Sequence, residues 1–213
     1  ILSTLHQSSL GALYLIAPSK LHPLWYSPYL AMFFFVSSIP AGLSMVIFEG
    51  GLSHKYLHHK MDETHLAESS GVTLGFAKAA SVVLFAYFIL KWIGVPLGNN
   101  WSLLFTGWGA WFLFELIGFV LVPCLMYAVA AREKNEKLAF WASIVTVLGI
   151  VLNRLNISLV AFNWQLPLES RYVPAWEEIM ITVFIVTLEI TVLRFCLHKL
   201  PILHEHPEFK GAH

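Results

Sequence analysis

Four ionisable side chains interrupt long apolar stretches of this sequence. Arg154 lies within LGIVLNRLNISLVAFNW, and Glu49, Glu115 and Glu189 hold similar positions in three other apolar stretches. An arginine at the centre of a membrane helix costs roughly 2.5–3.5 kcal/mol on insertion scales, so such groups usually face a bundle interior, a wet cavity or a ligand. The sequence therefore predicts a polar site and a proton path inside a helical membrane protein.

The three glutamates are predicted to lie at graded depths along their helices. Carboxyl groups spaced in this way suit a relay that takes up protons and releases them. Neutral glutamates that hydrogen-bond between helices are the structural alternative, and for a single residue both interpretations stay open. The relay is favoured for Glu49, because Gly50 and Gly51 let another backbone or water come close.

A polar stretch, HQSSLG, begins at His6 near the start of the chain. A neutral imidazole both donates and accepts hydrogen bonds and titrates near neutral pH, which suits coupled proton and electron chemistry. A head group with two carbonyl oxygens needs such donors. Arg154, flanked by Asn153 and Asn156, could stabilise negative charge on a reduced oxygen. A helix-capping role at the interface is the alternative for His6.

A second group of histidines has the spacing of metal ligands, but its surroundings favour a solvated helix end. His54 and His58 are four residues apart, with His59 and His65 nearby, in a segment that also holds lysine, aspartate and glutamate. A b-type haem would need histidines on facing helices. The apolar stretches offer none well inside except His6, so neither a metal nor a haem is expected.

The composition is that of an integral membrane chain. Hydrophobic residues make up 57% of the sequence and charged residues 12%, against about a quarter charged in soluble domains. The mean hydropathy is +0.68. Because the net charge is formally zero, nothing points to a nucleic-acid partner.

Five apolar stretches are long enough to cross a bilayer, at about residues 28–48, 73–95, 101–129, 138–163 and 175–197. The stretch before Pro18 is predicted to be the end of a helix whose beginning is absent. The expected fold is all-α: one polytopic transmembrane bundle over residues 1–213, with about five full spans plus a truncated N-terminal helix end.

Lysine and arginine are distributed unevenly over the predicted loops. One side holds Lys55, Lys60, Arg132, Lys134, Lys137, Lys199 and Lys210, and the other holds Lys20, Lys91 and Arg171. The positive-inside rule then places the C-terminus in the cytoplasm. Tryptophans and tyrosines cluster at the opposite, outer ends of the spans, where an aromatic belt and a docking rim for a partner are equally open interpretations.

Five motifs in order resemble the NrfD-like family of quinone-interacting membrane subunits: HQSSLG followed by KLHPLW, then VIFEG, RLNISLVAFN and PAWEE with a following LEI. Within that family the chain is most similar to the membrane subunit that accompanies Hyb-type nickel-iron hydrogenases. It resembles the C-terminal half of a protein with about ten spans.

The resemblance implies a menaquinone or ubiquinone site near the outer face and no haem. It implies an iron-sulfur, ferredoxin-like subunit and the large and small subunits of a nickel-iron hydrogenase as extracytoplasmic partners, in a bacterial or archaeal cytoplasmic membrane. His6, Glu49 and Arg154 fall in matching motifs and are implied quinone or proton-path residues. Glu177 and Glu178 match PAWEE, where capping of the last helix is an equal alternative.

The predicted function is therefore electron and proton exchange between an iron-sulfur partner and a membrane quinone. Quinone contacts are predicted for His6, Asn153, Arg154 and Asn156, and a proton path for Glu49, Glu115 and Glu189. An ion or solute transporter would use the same buried charges, although no internal repeat is visible. A passive membrane anchor would leave them unexplained.

Overall fold

The computed structural model describes residues 2–57 and 63–199. Seven α-helices follow one another in this part of the chain: α1 Leu2–Leu13, α2 Leu30–Leu57, α3 Glu63–Leu97, α4 Gly107–Leu116, α5 Val122–Glu133, α6 Glu136–Leu155 and α7 Trp176–Lys199. Its β pairing is an isolated antiparallel bridge between Leu21 and Phe162. The all-α prediction is confirmed.

Five helical stretches are long and apolar enough to cross a membrane: Leu30–Ser53, Ser70–Leu97, Gly107–Glu133, Glu136–Val160 and Trp176–Cys196. They match the five predicted spans, and α1 is the shorter N-terminal helix. The third span begins later than predicted, because Trp101–Phe105 forms a 3-10 helix. Thr106 then caps α4 by accepting the Gly109 N–H at 3.2 Å.

Two of the spans change their helical winding part-way. Ile117–Leu121 is a π-helical turn that joins α4 to α5, and Asn156–Val160 is a π-helical turn that ends α6. Such turns insert an extra residue into the helix and are frequent at functional sites. Glu115 lies just before the first turn, and Arg154 just before the second.

Small residues allow the helices to approach closely where they cross. A Cβ on Gly149 of α6 would lie 2.6 Å from the Cβ of Phe119, in the first π turn. A Cβ on Gly11 of α1 would lie 2.9 Å from the Cα of Ala31 in α2. Close backbone approach of this kind is a common mode of helix packing in membranes. It brings α1, α2, α4 and α6 around one polar region.

Three connecting segments, residues 18–29, 98–106 and 161–175, meet at one end of the bundle, which we call the tryptophan face. His22 N–H donates to Ala161 O at 3.0 Å, and Asn100 Nδ2 donates to Pro23 O at 3.1 Å. These contacts tie the three loops together. The span in α7 is 0% buried within the described chain, so its apolar surface is open to lipid or to another protein.

Candidate functional site

The centre of the site is Glu115, a carboxylate inside the bundle with only 5% of its surface exposed. Trp25 Nε1 donates to its Oε2 at 2.9 Å. Asn153 Nδ2 donates to Oε1, and Asn156 Nδ2 donates to Oε2. Burying a carboxylate is costly unless its oxygens are hydrogen-bonded, and three donors meet that need here. Glu115 is thus held in one position by the end of α6 with its π turn and by a loop.

Both asparagines are oriented by a second hydrogen bond. Arg154 Nη1 donates to Asn153 Oδ1 at 2.8 Å, and Trp111 Nε1 donates to Asn156 Oδ1 at 3.1 Å. Arginine and tryptophan side chains can only donate, so each amide turns its oxygen to them and its NH2 to Glu115. The hydrogen-bond chain therefore runs from Glu115 through Asn153 to Arg154.

Arg154 uses all three of its guanidinium nitrogens within the protein. Besides Asn153, Nη2 donates to Ser37 Oγ at 2.8 Å and to Phe34 O at 3.3 Å, and Nε donates to Gln7 Oε1 at 3.2 Å. The guanidinium also lies 3.8 Å from the centroid of the Phe34 ring, a cation–π contact. The cation is therefore fixed between α1, α2 and α6.

The sequence spacing on α6 explains why neighbouring residues reach different partners. Asn153 and Asn156 are three residues apart and share the face toward α4. Arg154 is turned by about 100° from Asn153 on a helix of 3.6 residues per turn, and it points to α1 and α2. The end of α6 thus contacts the buried Glu115 on one side and, through Arg154, a cavity on the other.

That cavity has a volume of about 480 Å³, within the usual range for ligand sites. Arg154, Gln7, Ser38, Ser158 and Thr4 supply its polar groups, and its other walls are Ala41, Gly42, Met45, Ile150, Val151 and Leu155. We call it the Arg154 cavity. Because Gln7 Oε1 accepts from Arg154, the Gln7 NH2 group can donate to a carbonyl oxygen in the cavity. An occupant with an apolar body and one polar oxygen fits this lining.

The structure brings together four of the predicted site residues: Glu115, Asn153, Arg154 and Asn156. It does not bring the other three to them, since His6, Glu49 and Glu189 are exposed on α1, α2 and α7. Their roles stay predictions. On α1 it is Gln7, one residue after His6, that contacts Arg154.

Sequence reasoning missed several members of the cluster. Trp25 is one of the tryptophans for which the sequence predicts a place in an aromatic belt, yet it is 1% exposed and donates a hydrogen bond to Glu115. Ser37 accepts from Arg154, but a single serine in an apolar helix does not by itself predict a site residue. The charge distribution predicts Lys91 to be a loop charge of the outer side, but it lies within α3 and is 4% exposed. Its place four residues before the end of the predicted span 73–95 was the signal that could have revealed it.

Another histidine, His22, is enclosed by aromatic rings on the tryptophan face. Its ring centroid is 4.7 Å from that of Trp164, 5.0 Å from Trp108 and 5.5 Å from Trp25. Nδ1 accepts the Leu24 N–H at 3.2 Å. Burial lowers the pKa of His22 to about 4, so its ring is neutral at physiological pH.

These surroundings bear on haem and metal binding. His22 is enclosed by tryptophans and His6 is exposed on α1, so these two side chains form no facing pair for a haem iron. The side chains of His54, His58, His59 and His65 lie outside the described residues. In the described part of the chain, no group of three or more histidines, cysteines and acids could hold a metal ion.

Glu178 has a local role at the start of α7. It accepts the Ala175 N–H at 3.1 Å, and the Tyr172 hydroxyl donates to the same oxygen. This is the helix-capping alternative that the PAWEE motif left open.

The fold and the site define a polytopic helical membrane protein. In it, hydrogen bonds connect Glu115 through Asn153 to Arg154, which lines a mostly apolar cavity. Residues 1–163 match the family model described as Polysulphide reductase, NrfD. The chain belongs to this NrfD family.

Three relatives show the range of proteins to which the chain is similar. A Nitratidesulfovibrio vulgaris protein with no descriptive name is 62% identical over 213 residues, which is 100% of this chain and 55% of that protein. The probable Ni/Fe-hydrogenase 2 b-type cytochrome subunit of Escherichia coli is 33% identical over 95% of this chain and 50% of its own length. The menaquinone reductase integral membrane subunit of N. vulgaris is 27% identical over 97% and 53%.

The chain thus spans about half the length of the curated relatives it matches. No solved structure gives a significant match.

Proposed function

We propose that this chain is part of the quinone-reacting membrane subunit of a respiratory oxidoreductase complex, and that the Arg154 cavity holds the quinone head group. The observation that carries the proposal is the hydrogen-bonded connection from this cavity, through Arg154 and Asn153, to the buried Glu115. Relatives named as a menaquinone reductase subunit and a hydrogenase subunit support it.

The cavity supplies what quinone chemistry needs. Reduction of a quinone adds two electrons and two protons, so negative charge develops on its carbonyl oxygens before protonation is complete. Arg154 stabilises that charge from a fixed position, as a preorganised donor does. The Gln7 amide donates to the oxygen and orients the ring, while Met45 and Leu155 contact its apolar surface. His6, next to Gln7 on α1, remains the proposed proton donor near the cavity.

Asn153 and Asn156 both donate to Glu115, and Asn153 also accepts from Arg154, so they fix the positions of these two charged groups. Glu115 is the proposed internal proton carrier, because it is the acid that the network connects to the cavity. Glu49 and Glu189 are proposed to continue the relay toward the other face. Both are exposed in the described chain, on surfaces that further subunits or the rest of a longer protein would cover.

The proposed electron donor is a ferredoxin-like iron-sulfur subunit, and a nickel-iron hydrogenase with large and small subunits is the proposed source of electrons. Docking on the tryptophan face would bring that subunit to the loop that holds Trp25, which contacts Glu115. We place the complex in a bacterial or archaeal cytoplasmic membrane, with the C-terminus cytoplasmic, menaquinone or ubiquinone as substrate, and no haem in this chain.

Substitution of Arg154 by lysine tests the proposal, because lysine keeps the charge but cannot make the three-nitrogen contact. Charge-assisted hydrogen bonds contribute roughly 1.5–3 kcal/mol, so the KM for quinone should rise at least about tenfold. Quinone titration of the purified complex measures it, together with binding of a menaquinone analogue.

Arg132→Lys is the matched control, since Arg132 is exposed at the end of α5. Unchanged quinone affinity in Arg154→Lys would remove the Arg154 cavity from consideration. A purified chain that takes up a solute and binds no quinone would instead favour the transporter alternative, and one with neither activity the passive anchor.

A further inference from the structure

Lys91 is a buried cation that the quinone site does not use. It lies about 9 Å from the end of α3 at 1.5 Å per residue, inside the span Ser70–Leu97, and is 4% exposed. Its Nζ is 5.3 Å from the centroid of the Phe33 ring and 5.9 Å from that of Tyr87. No carboxylate oxygen of the described residues lies within ion-pair distance, 4.0 Å, of this nitrogen. Burial of a charge without such a partner is costly and usually functional.

Two adjoining cavities lead from the tryptophan face to Lys91. The outer cavity has a volume of about 490 Å³ and is walled by Pro18, Leu21, Pro23, Pro28, Tyr29, Leu97 and Gly98. The inner cavity, which Lys91 lines, has a volume of about 10 Å³, enough for about one water molecule. Tyr26, Ser27, Gly94 and Asn100 line both cavities. The cavity that Lys91 lines is therefore separated from the outer cavity by shared wall residues only.

Single side chains separate the inner cavity from Glu115. Trp25 lines it and donates Nε1 to Glu115 Oε2 at 2.9 Å. Tyr87, whose ring faces Lys91 Nζ, lines a cavity of about 20 Å³ together with Glu115 and Asn153. Lys91, Trp25 and Tyr87 thus form the layer between the groove and the buried acid.

We propose that Lys91 and its two cavities form an aqueous proton route between the tryptophan face and Glu115. The inference rests on the proposed function, because it gives Glu115 a source of protons. In each passage the Lys91 ammonium passes a proton through water to the Glu115 carboxylate, and the neutral amine regains one from water in the groove. Lysine suits this step because its charge state responds readily to burial. No electron is transferred.

Turnover of the intact complex in proteoliposomes provides the first test. Lys91→Met removes the proton carrier, and Lys91→Arg keeps the charge but cannot release a proton. Both variants should lower kcat for quinone about tenfold or more and leave the KM for quinone unchanged. Full turnover in either variant would overturn the route. Because the Arg154→Lys experiment measures quinone affinity, the two proposals can fail separately.

Water access to position 91 is the second test, and it does not depend on turnover. In the full-length protein with every cysteine, including Cys124 and Cys196, replaced by alanine, Lys91→Cys should react with Ag⁺, a membrane-impermeant thiol reagent close to a water molecule in size, added at the tryptophan face. The matched control is Ala80→Cys, a 0% exposed position on the same helix, which should stay unmodified. Modification of Lys91→Cys only from the opposite face, or from neither, would overturn the proposal even if Lys91→Met does not fold.

Discussion

Four polar side chains meet where α4 and the end of α6 face each other: Glu115 accepts from Asn153 and Asn156, and Arg154 donates to Asn153. Arg154, Asn153, Asn156 and Glu115 were predictable because polar groups in apolar stretches are rare and seldom face lipid. The sequence could not predict whether Gln7 or His6 contacts Arg154, since a difference of one residue turns a side chain by about 100° around the helix. Packing of α1 against α2 decides which one reaches Arg154.

Replacement of Glu115 by glutamine tests the residue at the centre of the network. The amide keeps the size but brings an NH2 group toward three donors, so one hydrogen bond is lost. We expect the free energy of unfolding to fall by about 1–3 kcal/mol and quinone turnover to fall at least about tenfold. Thermal unfolding in detergent and steady-state turnover of the complex measure the two effects.

The matched control is Glu133→Gln at the exposed end of α5. Equal turnover in the Glu115 and Glu133 variants would show that the buried carboxylate carries no proton for the reaction.

At the scale of helices, hydropathy alone located the five spans, because about 20 apolar residues are needed to cross a bilayer. The two π turns were not predictable. They are a change in hydrogen-bond register that packing imposes, and no residue pattern identifies them. Glu115 and Arg154 each precede one of these turns. The π turns therefore help to position the site, although the sequence did not predict them.

Gly149→Ala tests the contact between α6 and the first π turn. The added methyl would lie 2.6 Å from the Cβ of Phe119 and 2.9 Å from its carbonyl oxygen, so the helices must separate. We expect a loss of about 1–3 kcal/mol in the free energy of unfolding, measured by thermal unfolding in detergent. Quinone turnover should fall as well, because Asn153 lies one turn farther along α6.

Gly75→Ala in α3 is the control, since a Cβ there meets nothing within 4 Å. If Gly149→Ala is as stable as Gly75→Ala, the close crossing does not hold the site together.

At the scale of the whole molecule, the chain spans about half the length of its relatives, and α7 has no buried span surface in the described part. The sequence predicted membrane residence and orientation from composition and loop charge. It could not predict what covers α7, since an apolar helix surface looks alike whether it faces lipid or protein.

The predicted orientation can be measured by labelling. In the cysteine-free background, Lys137→Cys, at the start of α6, should react with an impermeant thiol reagent only in inside-out vesicles. Ser102→Cys, on the tryptophan face, should react only in right-side-out vesicles. Both positions are exposed, so each serves as the control for the other. The reverse pattern would place the tryptophan face in the cytoplasm.

The arrangement of donors around Glu115 links its protonation to the position of Arg154. A protonated carboxyl has an O–H that needs an acceptor, but Arg154 and Trp111 already occupy the oxygens of Asn153 and Asn156. One amide must therefore turn over before the proton is accommodated. Turning of Asn153 would take its oxygen away from Arg154 Nη1, so proton uptake at Glu115 costs the Arg154–Asn153 hydrogen bond. Conversely, the more firmly Arg154 holds Asn153, the harder Glu115 is to protonate.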